Sequence, residues 1–216
     1  KYSEGFSPKP VLTYGPALPL GIPSLCEVAD ITSLEPLDTD ALIAQLNAVT
    51  DPGLRITDAA SIPKETRSCA RSAKLAEYVL ACPGTWDGPT LEAAATRACS
   101  GEPLRIMVTR KRGEREVDIL AGVRSASADL PTADETRLLA LSPKTPVLRV
   151  RIDLNEGAHV RAEELALALM GLDSRPPRFI AARTGLWGLR KGLVFDLMAP
   201  PAPNAPTVAE ASPAAL

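Results

Sequence analysis

Three groups of residues carry side chains whose types and spacing suit binding or catalysis. The first is the opening segment, where Ser3, Glu4, Gly5, Phe6, Ser7, Pro8, Lys9, Pro10 and Tyr14 all precede Gly15. Each proline fixes φ and pushes the residue before it toward extended geometry. The loop from Gly5 to Pro10 is therefore stiff and can hold Ser3, Glu4, Ser7, Lys9 and Tyr14 in set directions. The same segment also reads as an ordinary hairpin with a rigid connection. The second group is Arg110-Lys111-Arg112-Gly113-Glu114-Arg115, a basic turn centred on glycine and suited to phosphate contact. Charge of this kind at a hairpin tip also serves solubility alone. The third is Arg183-Thr184-Gly185, read as a strand end turning at the glycine, where an arginine can hold a phosphate or a carboxylate. The alternative partner for Arg183 is Asp118 or Asp153 in a structural salt bridge. Glu4 and Asp118, with Tyr14 nearby in sequence to Glu4, are the weak catalytic candidates, since general acid–base work needs two titratable groups facing one site.

Several chemistries find no support. There is no nucleophile elbow, phosphate-binding glycine loop or dinucleotide fingerprint. The cysteines Cys26, Cys69, Cys82 and Cys99 lie too far apart for a zinc pair or an iron–sulfur motif. They read as reduced core thiols of a cytoplasmic protein. The single histidine, His159, lies just ahead of a helix with no second histidine to share a metal, and reads as a surface or near-cap residue. No metal and no cofactor are expected. A net charge of −2 over 216 residues gives no global basic field, and 4% aromatic content argues against an extended base-stacking surface. No apolar run is long enough to span a membrane.

Periodicity predicts the elements that must position these groups. Val11–Tyr14 and Cys26–Thr32 read as strands, and Thr39–Val49 as a helix capped by Asp38 or Thr39. Leu54–Thr57 reads as a further strand. Residues 60–74 are polar and lack a period. A second set follows: strand Leu75–Cys82, helix Leu91–Cys99, and a hairpin of Leu104–Thr109 with Glu116–Leu120. Residues 128–134 read as a loop, and a second hairpin pairs Arg137–Ser142 with Pro146–Leu154. On the returning strand, Leu148, Val150, Ile152 and Leu154 face one way and Arg149, Arg151 and Asp153 the other. A helix over Arg161–Met170, with Leu165, Ala168 and Leu169 inward, and an edge strand over Leu193–Met198 complete the set. The expected class is α+β: two ferredoxin-like lobes of antiparallel sheet with helices on one face. Their boundaries fall at 1–62, a connector at 63–74, a second lobe at 75–198 and a disordered Pro/Ala-rich tail at 199–216.

The run Tyr2-Ser-Glu-Gly-Phe-Ser-Pro-Lys-Pro10, continuing into Thr13-Tyr-Gly-Pro-Ala-Leu-Pro-Leu-Gly-Ile22, resembles the bacterial radical-SAM-associated (radical SAM-linked) domain of unknown function. Ser7 stands where that family usually has Asn. Glu35-Pro-Leu-Asp38, Glu116-Val-Asp-Ile119 and Arg183-Thr-Gly-Leu186 extend the similarity over roughly residues 1–190. In the family a strand and a basic helix precede the opening motif. The resemblance thus implies an N-terminally truncated copy, a first lobe lacking its leading strand and helix. Family members sit beside, or are fused to, a radical SAM protein, often near a ribonuclease, which implies RNA modification or processing.

Two functions follow as expectations. One is an RNA-binding or substrate-presenting accessory of a radical SAM partner, with Lys9, Arg110, Lys111, Arg112 and Arg183 lining a cleft. The other is a free-standing RNA-modifying or RNA-cleaving enzyme using Ser3, Glu4 and Tyr14. A non-functional fragment is the plainer alternative. The accessory reading is favoured, because no complete catalytic constellation is present.

Overall fold

The computed structural model describes residues 4, 6–7, 9–110, 113–154, 161–190 and 193–200, with only the backbone of Arg110. Tyr2, Ser3, Gly5, Pro8, Lys111, Arg112, His159 and the tail beyond Pro200 lie outside the described residues. The fold is α+β with antiparallel sheets, and the chain divides into two compact units. The first comprises residues 1–16, 28–73 and 187–216, the second residues 17–27 and 74–186.

The second unit is built on strands β3 (Ala73–Ala81), β6 (Val123–Asp129), β7 (Val147–Asp153) and β8 (Ile180–Arg190). Helix α3 (Gly88–Ala98) joins β3 to the ribbon β4 (Arg105–Arg110) and β5 (Gly113–Asp118), which leads to β6. Helix α4 (Ala133–Leu139) lies between β6 and β7, and α5 (Ala162–Met170) between β7 and β8. The sheet order β6-β7-β3-β8 is that of a ferredoxin-like lobe, with the β4–β5 ribbon and α4 as insertions. β7 runs antiparallel to both β3 and β6.

The predicted alternation on β7 holds. Leu148, Val150 and Ile152 are buried, whereas Arg149, Arg151 and Asp153 are half-buried on the opposite face. Leu80 and Leu148 are wholly excluded from water, and burying such a side chain is worth about 1.5–3 kcal/mol. Helix α3 packs on β6, β7 and α5. Its N-cap is Asp87, whose carboxylate accepts from Thr90 N–H at 2.9 Å, and Pro89 occupies the first turn. In α5 the inward residues are Ala162, Leu165, Ala166 and Leu169, so Ala166 takes the place expected for Ala168.

Two predicted elements are replaced. Residues 123–129, partly assigned to a loop, form β6, and the segment Arg137–Ser142, expected as a strand, is not one: its first half, Arg137–Leu139, is the last turn of α4 and Ala140 is the left-handed cap. The β6 sequence Val-Arg-Ser-Ala-Ser-Ala-Asp is small and polar, with little intrinsic strand signal; its pairing with β7 supplies the order. Helix α4 starts at a capping box. Thr132 Oγ1 accepts from Glu135 N–H, and Glu135 Oε2 accepts from Thr132 N–H at 2.8 Å. That pair of hydrogen bonds nucleates a helix where the run Leu138-Leu139-Ala140-Leu141 suggested a strand.

In the first unit, β1 (Leu12–Tyr14) pairs antiparallel with β2 (Ala29–Ile31). Helix α1 (Thr39–Asn47) starts at Asp38, whose carboxylate accepts from Asp40 and Ala41 N–H at 3.0 Å each. Leu54–Thr57 is not a strand. The Asn47 side chain instead donates to Ile56 O and accepts from Ile56 N–H, both at 2.8 Å, so an amide stands in for a strand neighbour. The short helix α2 (Cys69–Ser72) lies against β1 and β2. The last part of β8, Trp187–Arg190, pairs with β9 (Leu193–Asp196). In that pairing Gly188 faces Phe195, and a Cβ at Gly188 would collide with the ring. The absent side chain is what lets the ring lie across the neighbouring strand.

Gly188→Ala is expected to displace Phe195 and cost about 1–3 kcal/mol, the usual penalty of overpacking. A lowered urea midpoint checks this; an unchanged midpoint rejects the close approach.

Candidate functional site

Arg183 is the most deeply buried charged side chain among the described residues, at 1% exposure. It lies within the uninterrupted strand β8, so the expected turn at Gly185 is not formed; Gly185 is buried in mid-strand. Its guanidinium is engaged on all three nitrogens. Nε donates to Tyr78 Oη at 3.1 Å, and Nη2 donates to the same oxygen at 3.0 Å and to Ala17 O at 3.0 Å. Nη1 donates to both oxygens of Glu27, at 2.9 and 3.1 Å. Neither Asp118 nor Asp153 is the partner. Asp118 Oδ1 accepts from Leu104 and Leu120 N–H, and Asp153 Oδ2 accepts from Arg124 Nε at 2.9 Å.

The backbone repeats the connection. Arg183 N–H donates to Pro23 O and Leu25 N–H donates to Arg183 O, each at 3.0 Å, making a short parallel bridge at Ser24. Ser24 Oγ also donates to Glu27 Oε1 at 2.7 Å, which orients that carboxylate. Within the segment, Ile22 N–H closes a turn on Pro19 O with Gly21 at φ +83°, the left-handed position that glycine fills without strain. Residues 17–27 are thus strapped to β8 by one arginine.

Thr184, the next residue, serves the other face of the sheet, as a period of two requires. Its Oγ1 donates to Glu77 Oε1 at 3.2 Å. Glu77 also accepts from Arg149 Nη1 at 3.0 Å and Arg151 Nε at 2.9 Å. Arg149 grips Glu135 with both terminal nitrogens, at 2.7 and 3.0 Å. Burial pulls the Glu135 carboxyl up, but the hydrogen bonds from Arg149 and Thr132 N–H outweigh it and hold the group below its ordinary range. Those same contacts raise Arg149 above the usual arginine value.

The remaining described candidates fall in both units. Glu4, Phe6, Lys9, Pro10 and Tyr14 belong to the first unit, and Phe6 and Tyr14 are exposed. Arg110 belongs to the second unit and pairs with Gly113 in the last rung of the β4–β5 ribbon. Asp118 closes the other end of that ribbon as a cap for backbone amides rather than as an inward-facing acid. The described cysteines are free thiols. Cys69 and Cys82 are buried, but Cys99 is exposed and Cys26 half-buried, so only two match the core expectation. Burial, reinforced by Asp30, pushes the Cys69 thiol up to about 11. Among the described residues no cluster of His, Cys, Asp and Glu could hold a metal ion. No described helix is long and apolar enough to cross a membrane.

Glu27, Tyr78, Glu77, Glu135 and Arg149 were not singled out from sequence. Only Glu135 carried a local signal, the Thr132-x-x-Glu135 spacing. The others acquire their roles from contacts between residues far apart in the chain.

The architecture is that of an α+β protein whose second unit has a ferredoxin-like strand order crossed by a buried arginine strap. The chain belongs to the family described as an uncharacterized protein conserved in bacteria (DUF2344), which matches residues 1–160. A search of curated proteins finds no match.

Arg183→Met keeps most of the side-chain volume but leaves Tyr78 Oη and Ala17 O without their charged donor. It is expected to cost about 3 kcal/mol, with Arg183→Lys restoring only a small part, because one ammonium cannot serve all three partners. Denaturant unfolding checks both, and equal stability of the lysine variant would refute the strap. The depressed Glu135 carboxyl contributes stability that is complete above the ordinary value of about 4.3 and lost as pH falls through its lower folded value. The thermal midpoint is therefore expected to fall more steeply below about pH 4.3 in the native chain than in Glu135→Gln.

Proposed function

We propose that this protein is an RNA-binding or substrate-presenting accessory module that works with a radical SAM enzyme in RNA modification or processing. The observation that carries this reading is the β4–β5 ribbon. It pairs only with itself among the described strands, its last rung joins Arg110 to Gly113, and in the sequence Lys111 and Arg112 stand between those two residues. A ribbon outside the main sheet can present cations to a phosphate backbone without disturbing the core. Arg105 and Arg115 add exposed positive charge along it, while Glu116, 3.5 Å from Arg105, fixes one of them.

The resemblance of the opening motif and of Arg183-Thr184-Gly185-Leu186 to the radical-SAM-associated family supports the choice of partner. Arg183 then acts as scaffold, since its donors are spent on Tyr78, Glu27 and Ala17. In this reading the chain itself needs no cofactor; cluster chemistry belongs to the partner. The free thiols fit a cytoplasmic setting.

The test is a salt titration of binding to a short single-stranded RNA, read by fluorescence anisotropy. Replacing Arg110, Lys111 and Arg112 together by alanine is expected to weaken binding at low salt. The log–log salt slope should become shallower by about 2, at roughly 0.7 per lost phosphate contact. A wild-type protein that does not bind RNA at low salt overturns the proposal.

A further inference from the structure

The first unit contains a cleft of about 190 Å³ whose lining includes Glu65, Thr66, Arg67, Ser72, Arg190 and Phe195. It lies between the segment 65–72 and the paired strands β8 and β9. Its chemistry is mixed. Phe195 supplies an aromatic ring whose place is set by the missing side chain of Gly188 on the paired strand. Arg67 is exposed, and Arg190 ends β8. Thr66 and Ser72 contribute hydroxyls, and Ser72 Oγ donates to Arg67 O at 3.2 Å, tying the two ends of the 67–72 segment together.

Drug-sized and cofactor ligands occupy roughly 300–1,000 Å³. This cleft is smaller and takes a single planar group with one charged attachment. An aromatic ring beside two arginines and two hydroxyls matches a nucleotide, with stacking for the base and cations for the phosphate. Glu65 opposes an anion at its own position and accepts instead from a ribose hydroxyl or a base amine.

We infer that this cleft holds one nucleotide of a single-stranded RNA, its base stacked on Phe195 and its phosphate held by Arg67 and Arg190. The inference rests on the RNA-binding reading above and adds a second contact point, in the first unit, that the basic ribbon does not supply.

The experiment compares wild-type protein, Phe195→Leu, Arg67→Ala and the Arg110/Lys111/Arg112 triple-alanine variant, all binding the same labelled single-stranded RNA across a salt series. Phe195→Leu is expected to weaken binding roughly tenfold with an unchanged salt slope, because stacking is uncharged. Arg67→Ala is expected to weaken it and to lower the slope by about 0.7. Far-UV circular dichroism and melting identify a misfolded Phe195→Leu; the exposed Arg67→Ala then decides alone. If both cleft variants bind as wild type while the triple variant is weakened, the cleft is overturned and the ribbon reading stands. Loss in Arg67→Ala with none in a folded Phe195→Leu overturns the stacked nucleotide. Absence of binding by the wild type overturns the RNA-binding reading and, with it, this inference.

Discussion

A guanidinium removed from water must have every N–H answered, and Arg183 meets that demand with three partner residues from two separate stretches of chain. Tyr78 comes from β3, Ala17 and Glu27 from the strap that precedes the sheet in sequence. An isolated cation at 1% exposure would cost several kcal/mol. The fold therefore holds only if the strap stays in place, and the strap has few other reasons to be there. Leu20 within it is fully exposed, and Leu25 is partly so. Hydrogen bonding, rather than apolar burial, thus fixes the path of residues 17–27. The geometry is specific to arginine, whose planar fork can serve a phenol, a carboxylate and a carbonyl at once.

The opposite face of the same sheet repeats the principle with a different set. Thr184, adjacent to Arg183, turns to Glu77, which in turn collects Arg149 and Arg151. Arg149 continues to Glu135, which closes the capping box in the first turn of α4. One carboxylate therefore both caps a helix and anchors it to the sheet. Beside this network a small apolar cluster of Val79, Ala81, Leu141 and Val147 closes the end of the face under α4. Two consecutive residues of one motif thus brace both sides of β8, which accounts for their place in the chain without a ligand.

The two proposed contact points do not draw on those charges. The β4–β5 ribbon and the Phe195 cleft belong to different units. Each combines cations with a feature fixed by backbone geometry, a two-stranded ladder in one case and the Gly188–Phe195 pairing in the other. Both are economical ways to display charge, because neither asks the core to bury it.

By itself the sequence determined the elements whose signals are local. Asp38 capping α1, the alternation of β7, the helix over 162–170 and the hairpin around Gly113 all depend on residues within a turn or two of each other. The α+β class followed from them, and so did the family, carried by a contiguous motif. Only the tertiary structure decided which partners the buried charges would take. The salt bridge of Arg183 went to Glu27, 156 residues away in sequence, not to Asp118. A short polar stretch, 123–129, became a strand because β7 offered a free edge. The start of a segment that read as a strand, Arg137–Leu139, became the last turn of a helix because Thr132 and Glu135 closed a box and Arg149 held it. Periodicity and capping are written in neighbours; the satisfaction of a buried charge depends on whatever the folded chain brings within about 3 Å, and no spacing rule records that.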